Sequence, residues 1–418
     1  MAPTIVVSGV GCMSDYAESS DAFFDNLKQK KCVDFEPVFT DSTIQEVFGF
    51  RFNPKYAPMK RLQKEFGKRY KRFGVEDPRV ALMVKTTNAI LQDAGLSRTD
   101  LADERTQVIW GAPGNQPDLR SFLVQMHSND KLDLMLNPKM KELHVNNFRN
   151  DSLTNSYADY YQIKRPVDTV FSACSSSLSA LVPSLGLLKS GQVDRVLILA
   201  WQEVSTFDIL FMSGLNILAQ DESLPFSQKT EGLIPAFGIA GVLLERKDDC
   251  EDRNHDPYFS IKSTISKRAF GSANSPSMGA PFRMLTQTFE SLLEKSELTP
   301  SDIDAIFPHG NGIRASDQAE ATALAQVFKD TKPAVANYTH QYGYMLASSG
   351  AFDLVAAAYS FKNQEILPFV SPVDLDDAEG VNFITDAPKS LNLNRMLKTS
   401  IGIDGSLVTA LLESTEAA

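Results

Sequence analysis

Between Thr4 and Glu413 the chain alternates short apolar, β-branched runs with stretches of helical periodicity, and it does so twice. In the first pass, TIVVSGVGCM reads as a buried strand ending in a glycine turn, and SSDAFFDNLKQ as a capped amphipathic helix. PRVALMVKTTNAILQDAGL follows as a helix stopped at Gly95. TQVIWGA, VDTVF and DRVLILAWQE are the next strands, followed by GIAGVLLERK. The second pass runs through the strand YFSIKSTISKRAF, the long helix SMGAPFRMLTQTFESLLEKSEL and the strand IDAIF, then the helix QAEATALAQVF. The strand AVANYTH, the helix SGAFDLVAAAYSFKNQ and the segment TSIGIDGSLVTALLE close it. Such alternation implies an α/β protein whose sheet is covered on both faces. The repeated order suggests a duplication, with halves 1–250 and 251–418 meeting near the acidic loop KDDCEDRNHDP. No low-complexity linker separates them, so they are expected to share one core. Residues 114–165 are polar and poorly periodic, and read as a long surface excursion.

At 418 residues, 43% hydrophobic and 22% charged, the composition is that of an ordinary soluble protein. The net charge of −11 argues against general nucleic-acid binding, and an acidic surface repels an acidic partner unless a basic patch overrides it. One basic run exists, KRLQKEFGKRYKR at 60–72, although a solvated helix face explains such a run equally. The four cysteines lie far apart without CxxC spacing, so neither a metal site nor a disulfide framework is expected and a reducing, cytoplasmic setting is. The N-terminal segment reads as a strand rather than a signal peptide, and no window approaches the roughly 18 apolar residues of a membrane span.

Three local features carry chemistry. In FSACSSSLSAL, Cys174 stands where a strand hands over to a helix, and the unpaired N–H groups of a helix start favour a thiolate; a small buried hydrophobe is the plainer alternative. In PHGNG, His309 follows a strand and is flanked by glycines that let a ligand approach the backbone, although a satisfied core histidine would look the same. IGIDG at 401–405 is a glycine-spaced turn.

Together these segments resemble the β-ketoacyl-acyl-carrier-protein synthases, the condensing enzymes of the thiolase superfamily, over nearly the whole chain. DTVFSACSSSLSAL is similar to the nucleophile segment, LPFSQKTEGLIPAFGIAGVLLE to the glycine-rich run that follows, and PHGNGIRASDQAE to the histidine motif with His309 and Glu320. NYTHQYGYMLASSGA is similar to the segment that carries the family's lysine and second histidine, and TSIGIDGS to the closing glycine turn. The resemblance implies a thiolase-like, duplicated α-β-α-β-α five-layer fold and an obligate dimer, as a homodimer or with another ketosynthase-family subunit. It also implies acyl groups delivered by acyl carrier protein, whose phosphopantetheine enters with the substrate, so that no separate cofactor is expected.

The departures are as informative. The second histidine of the family falls on Tyr344 and its lysine on Thr339, which leaves Glu320 without that ion-pair partner unless the adjacent His340 replaces it. The threonines that hold the pantetheine arm become Asn311 and Ile313. The gating phenylalanine falls on Ile403, the next glycine on Asp404, and a G-E-G on Ala236-Phe237-Gly238. Acyl loading needs a thiolate and an oxyanion hole, which the N–H groups of Cys174 and Ile403 can still form. Decarboxylative condensation normally uses two imidazoles, and losing one such donor costs about 2.7–4 kcal/mol, or about 10²–10³ in rate, unless the Tyr344 hydroxyl restores part of it.

The expected protein is therefore an acyltransferase in polyketide- or fatty-acid-like specialised metabolism, with Cys174 as acyl acceptor, His309 as base or hydrogen-bond donor and Tyr344 in the second donor position. Its acceptor is a malonyl-type carrier thioester, or a hydroxyl, amine or carbanion that needs no decarboxylation. Phe207, Phe211, Met212 and Phe237 are candidates for the acyl pocket, as they are for ordinary core packing. The rival is a non-elongating partner that shapes the chain-length tunnel of a catalytic synthase; such a partner should occlude Cys174, whereas an enzyme should open a tunnel to it.

Overall fold

The two halves build the same sheet. In the first, β1 (Ile5–Ser14), β2 (Thr106–Gly111), β3 (Asp168–Val170), β4 (Arg195–Gln202) and β5 (Gly238–Arg246) lie in the order β1-β5-β4-β2-β3. In the second, β6 (Phe259–Arg268), β7 (Ala305–Phe307), β8 (Ala334–Val335), β9 (Arg395–Ile401) and β10 (Ser406–Glu413) lie in the order β6-β10-β9-β7-β8. Strand directions match as well: the last strand of each half runs antiparallel to both neighbours, and the remaining pairings are parallel. The correspondence extends to single residues. Arg195 faces Glu245 across β4 and β5, and Arg395 faces Glu413 across β9 and β10, each pair joined by an ion pair at 3.5 and 2.9 Å. A short β1–β6 pairing, Val6 with Ser260 and Val7 with Phe259, joins the halves into one eleven-stranded sheet whose last member is Asn382–Phe383. This computed structural model describes residues 3–38, 52–57, 77–112, 150–268, 280–374 and 380–416; the basic run 60–72 lies outside them.

Helices fill the faces. α1 (Ser20–Lys28) is capped by the Ser19 side chain, which accepts from the Ala22 N–H. α2 (Pro78–Asp93) is capped by Asp77, with Pro78 in the first turn where its missing N–H costs nothing. α2 and α3 (Asn150–Tyr161) cover the outer face of the first half with one apolar cluster. α6 (Phe282–Lys295) and α7 (Arg314–Phe328) cover the outer face of the second with another. Between the halves lie α4 (Leu181–Lys189) and α8 (Ser349–Asn363), and Ser349 to Phe361 of α8 are all buried. α8 touches β1, β5 and β9 and the helical turn Ser176–Ser179. A Cβ on Gly350 would come within 2.9 Å of Ser177 Oγ, so this crossing is as tight as the backbones allow. Five layers result, with the largest apolar cluster in the middle one. α5 (Thr206–Gly214) stands apart, over the site described below.

Two expectations are corrected. Part of the 114–165 excursion is the helix α3, which buries Tyr157 and Tyr161. Its apolar stripe is made of tyrosines whose hydroxyls are paired, with Thr87 Oγ1 at 2.7 Å and the Val84 carbonyl at 3.0 Å, and a polarity reading discounts such residues. The strand expected over AVANYTH shrinks to Ala334–Val335, because Thr339–Tyr342 turns helical.

Candidate active site

Three loops at strand ends converge on one cavity. The first follows β3. Ala173–Ser175 forms a 3₁₀ turn that runs into Ser176–Ser179 and then α4, and Ala173 carries a φ of 46°. Such a conformation costs a non-glycine residue energy and persists only when its surroundings impose it. The serines impose it here: Ser176 Oγ accepts from the Ser172 N–H at 2.9 Å and donates to the Ala173 carbonyl at 2.7 Å, and Ser175 Oγ donates to the Ser172 carbonyl at 2.8 Å. The second half repeats the turn: Leu346, also at φ 46°, opens Leu346–Ser348 and leads into α8. Ala347 is thus the counterpart of Cys174, and both line the cavity.

The second loop, Pro308 to Gly312, follows β7 and lies over the start of α7. Two buried carboxylates one helical turn apart hold it by its backbone. Glu320 accepts from the His309 and Gly310 N–H groups at 2.8 and 3.0 Å. Asp317 accepts from Asn311, Gly312 and Phe226 N–H groups at 3.0, 3.1 and 3.1 Å. Burial pushes both carboxyls up to about 7 in spite of these donors. Gly312, at φ 83°, admits no side chain, because a Cβ there would stand 2.2 Å from Ser223 Oγ. His309 Nδ1 accepts from the Ile401 N–H at 3.3 Å, which favours the ring proton on Nε2; the Asn311 amide nitrogen, also 3.3 Å from Nε2, is the donor set against that tautomer. Nε2 lies 3.1 Å from the Tyr344 hydroxyl. Burial, and after it the positive charge of Lys398, lowers the imidazole to about 3, so the ring is neutral at physiological pH.

The third loop is the turn between β9 and β10. The Gly402 N–H donates to the Ser406 carbonyl at 2.7 Å, and the Ile403 N–H reaches Cys174. Ser406 Oγ ties this turn to the first loop, 2.8 Å from Ser175 Oγ and 3.2 Å from the Ser172 carbonyl. Tyr344, placed by backbone bonds to Ile234 and Ala236, turns its hydroxyl into the cavity that Cys174 and His309 also line. Asn311, whose Oδ1 accepts from the Ile313 N–H, also bonds that hydroxyl through its amide.

Burial pushes the Cys174 thiol up. The Tyr344 hydroxyl and the N–H groups of Ile403 and Cys174 pull it down, while the Asp404 carboxylate pushes it up further. The balance favours the thiol at rest, not the ready thiolate that the helix start suggested, because desolvation outweighs the donors.

A cavity of about 700 Å³, counted with its open mouth, leads to the sulfur. Its walls are mainly apolar and include Phe211, Met212, Ile217, Leu233 and Ile313, with Phe211 49% exposed at the mouth. Among the residues expected from the sequence, Cys174, His309, Tyr344, Asn311, Ile313, Phe211, Met212 and Ile403 come together here. Phe237 does not, since it packs with Trp110 and Met13 in the core beside β1. The Thr339 N–H is held by Asn337 Oδ1 and its hydroxyl by Tyr342. His340 turns its Nδ1 to the Ser223 carbonyl, 2.7 Å away, rather than replacing the missing lysine. The side chain of Phe207 lies outside the described residues. Glu320 is not left without a cation: Lys398, buried on β9, acts on it. Lys398 and Asp317 were missed by sequence reasoning, although a lysine inside the apolar run RMLKTSI is a visible anomaly. Among the described residues no cluster suited to a metal ion occurs.

A duplicated five-layer α/β fold with a cysteine on a strained turn, and an imidazole and an oxyanion-type N–H converging on one cavity, defines a condensing enzyme of the thiolase class. The chain belongs to the β-ketoacyl synthase family: the family's N-terminal domain matches residues 2–250 and its C-terminal domain residues 263–372. It is 21% identical to the 3-oxoacyl-[acyl-carrier-protein] synthase 1 of Haemophilus influenzae over 98% of both chains. It is 25% identical to a highly reducing polyketide synthase of Alternaria alternata over 71% of its own length, spanning about a tenth of that protein. Among solved structures, a type II polyketide ketosynthase in complex with its acyl carrier protein and bound to the hexaketide superposes with a TM-score of 0.79 at 19% identity, over 100% of both chains. The ishigamide ketosynthase/chain length factor superposes with a TM-score of 0.80 at 17% identity, over 99% of this chain and 100% of that one. No helix among the described residues is long and apolar enough to cross a membrane.

Proposed function

We propose that this protein is an acyl-transferring ketosynthase in which Cys174 accepts an acyl chain from acyl carrier protein and Tyr344 stands in for the second imidazole. The observation that carries this reading is the placement of the Tyr344 hydroxyl, which lies 3.1 Å from His309 Nε2, lines the same cavity as Cys174 and pulls its thiol down. In loading, sulfur attacks the carrier thioester, the N–H groups of Cys174 and Ile403 hold the oxyanion, and the thiol proton ends on the departing carrier thiol. Once Cys174 is acylated, the donors left in the cavity are His309 Nε2–H and Tyr344 O–H, which meet each other in the free site and turn to an incoming oxygen. They suit the carbonyl oxygen of a second thioester. With a malonyl thioester, loss of CO₂ leaves an enolate on that oxygen, and its carbon attacks the acyl-Cys174 carbonyl. The released thiolate takes one proton from water. His309 acts as a donor and not as a base, because its Nδ1 is engaged by Ile401 and its Nε2 carries the proton.

The open cavity at Cys174 favours this reading over a silent tunnel-shaping partner, in which the cysteine would be occluded. Dimer formation, with itself or with another ketosynthase-family subunit, and a cytoplasmic setting belong to the same proposal. The test is intact-protein mass spectrometry after incubation with acyl-carrier thioesters of several lengths, comparing wild type with Cys174→Ala. An acyl adduct present only in wild type supports the enzyme. Its absence at every length, alone and with a co-expressed synthase, would sink the proposal and favour the partner. Malonyl-carrier added to the acylated protein then reads decarboxylation as released CO₂.

A further inference from the structure

A lysine ammonium is among the groups least often stripped of water, yet Lys398 is 1% exposed. It sits in the middle of β9, where the register of the other half places the apolar Ile198 on β4. A charge at an inward strand position needs a reason. Its Nζ lies 2.6 Å from Asp353 Oδ2 on α8 and donates to the Pro308 carbonyl at 3.0 Å. Asp353 is itself oriented by the Tyr342 hydroxyl, which donates to Oδ1 at 2.7 Å.

The carbonyl that Lys398 holds belongs to the same peptide unit as the His309 N–H, which Glu320 holds at 2.8 Å. We propose that the Lys398–Asp353 pair is the positioning device of this site, clamping the Pro308–His309 peptide against Glu320 so that Nδ1 meets Ile401 and Nε2 meets Tyr344. The inference rests on His309 acting as a neutral donor. A cation from β9 thus serves the histidine loop, where position 339, which aligns with the family's lysine, holds a threonine. The titratable groups that face it are Asp353 from α8, Glu320 from α7 and the His309 ring from the loop after β7. Its charge also adds to burial in keeping the ring unprotonated. A peptide clamped at both ends lets a loop ring hold its aim within the tolerance that donor catalysis requires.

The test compares wild type, Lys398→Arg, Lys398→Gln and the double variant Lys398→Met/Asp353→Leu, which keeps the core folded by replacing a buried ion pair with apolar volume. Two readouts are taken: the pH titration of the His309 ring by nitrogen-15 NMR, and decarboxylation of malonyl-carrier by acylated protein across pH. The expected result is that His309 titrates at higher pH in Lys398→Gln and in the double variant. Decarboxylation then falls at least tenfold with its acid limb moved upward, and Lys398→Arg recovers most of it. An unchanged His309 titration and an unchanged pH profile in the folded double variant would overturn the proposal and leave the pair as packing. The titration moves with loss of the charge alone, whereas the nitrogen-15 shifts of the neutral ring report which nitrogen carries the proton; a double variant that keeps the wild-type tautomer would count against the clamp, and this readout needs no acyl adduct, so failure of the acyltransfer reading is distinguishable from failure of this one.

Discussion

The Tyr344 hydroxyl lies 3.1 Å from His309 Nε2, with the two rings edge to face at 83°. The imidazole Nδ1 accepts from Ile401, so its proton is aimed at the phenol oxygen, and the phenol hydroxyl pulls the Cys174 thiol down in turn. Sulfur, phenol and imidazole form one chain, and each link changes how the next behaves.

Tyr344→Phe removes a donor that pulls the Cys174 thiol down. The pH midpoint of Cys174 alkylation by iodoacetamide is expected to rise, and decarboxylation to fall by about 10²-fold. An unchanged alkylation profile would show that the hydroxyl does not engage the sulfur.

Asp404→Asn acts in the opposite direction. The Asp404 carboxylate pushes the Cys174 thiol up, so an isosteric amide should bring the alkylation midpoint down. Asp404 also pairs with Arg268 at 3.0 Å and accepts from the Ser406 N–H, so thermal stability is measured alongside.

Asp317 and Glu320 are pushed up to about 7, well above their ordinary carboxyl values. Between those values and 7 the folded protein holds protons that the unfolded chain has released. Their contribution to stability is therefore full below the ordinary values and is lost as pH rises through 7. The double variant Asp317→Asn/Glu320→Gln lacks this slope. The difference in unfolding free energy between wild type and variant should shrink as pH rises from about 5 to about 8, measured by urea unfolding at each pH.

Phe211 is half-exposed at the cavity mouth, so Phe211→Ala should cost less than about 1 kcal/mol of stability. It should change which acyl lengths load onto Cys174, scored by the adduct assay, while the alkylation midpoint stays put. A change in midpoint would mean that Phe211 shapes the site and not the acyl path.

Strand–helix alternation made the duplicated fold legible, and spacing made Cys174, His309 and the closing turn legible, because each is a local property of the chain. The tyrosine-striped α3 was not, since its periodicity is carried by hydroxyl-bearing rings. Phe237 and His340 lie within matching motifs, yet they face the core and the Ser223 carbonyl, because direction is set by neighbours from other segments.

By itself, the sequence determined the alternation of strands and helices in two similar halves, the strand-to-helix junction that carries Cys174 and the tyrosine at position 344. Only the tertiary structure decided that the tyrosine meets both sulfur and imidazole, that burial leaves Cys174 a thiol at rest, and that the cation beneath Glu320 comes from β9. Periodicity and propensity act within one element. Hydrogen bonds between Tyr344 and His309, or between Lys398 and Asp353, join residues brought together by folding, and the low dielectric that shifts the titration of Tyr344 and His309 exists only once the core has closed.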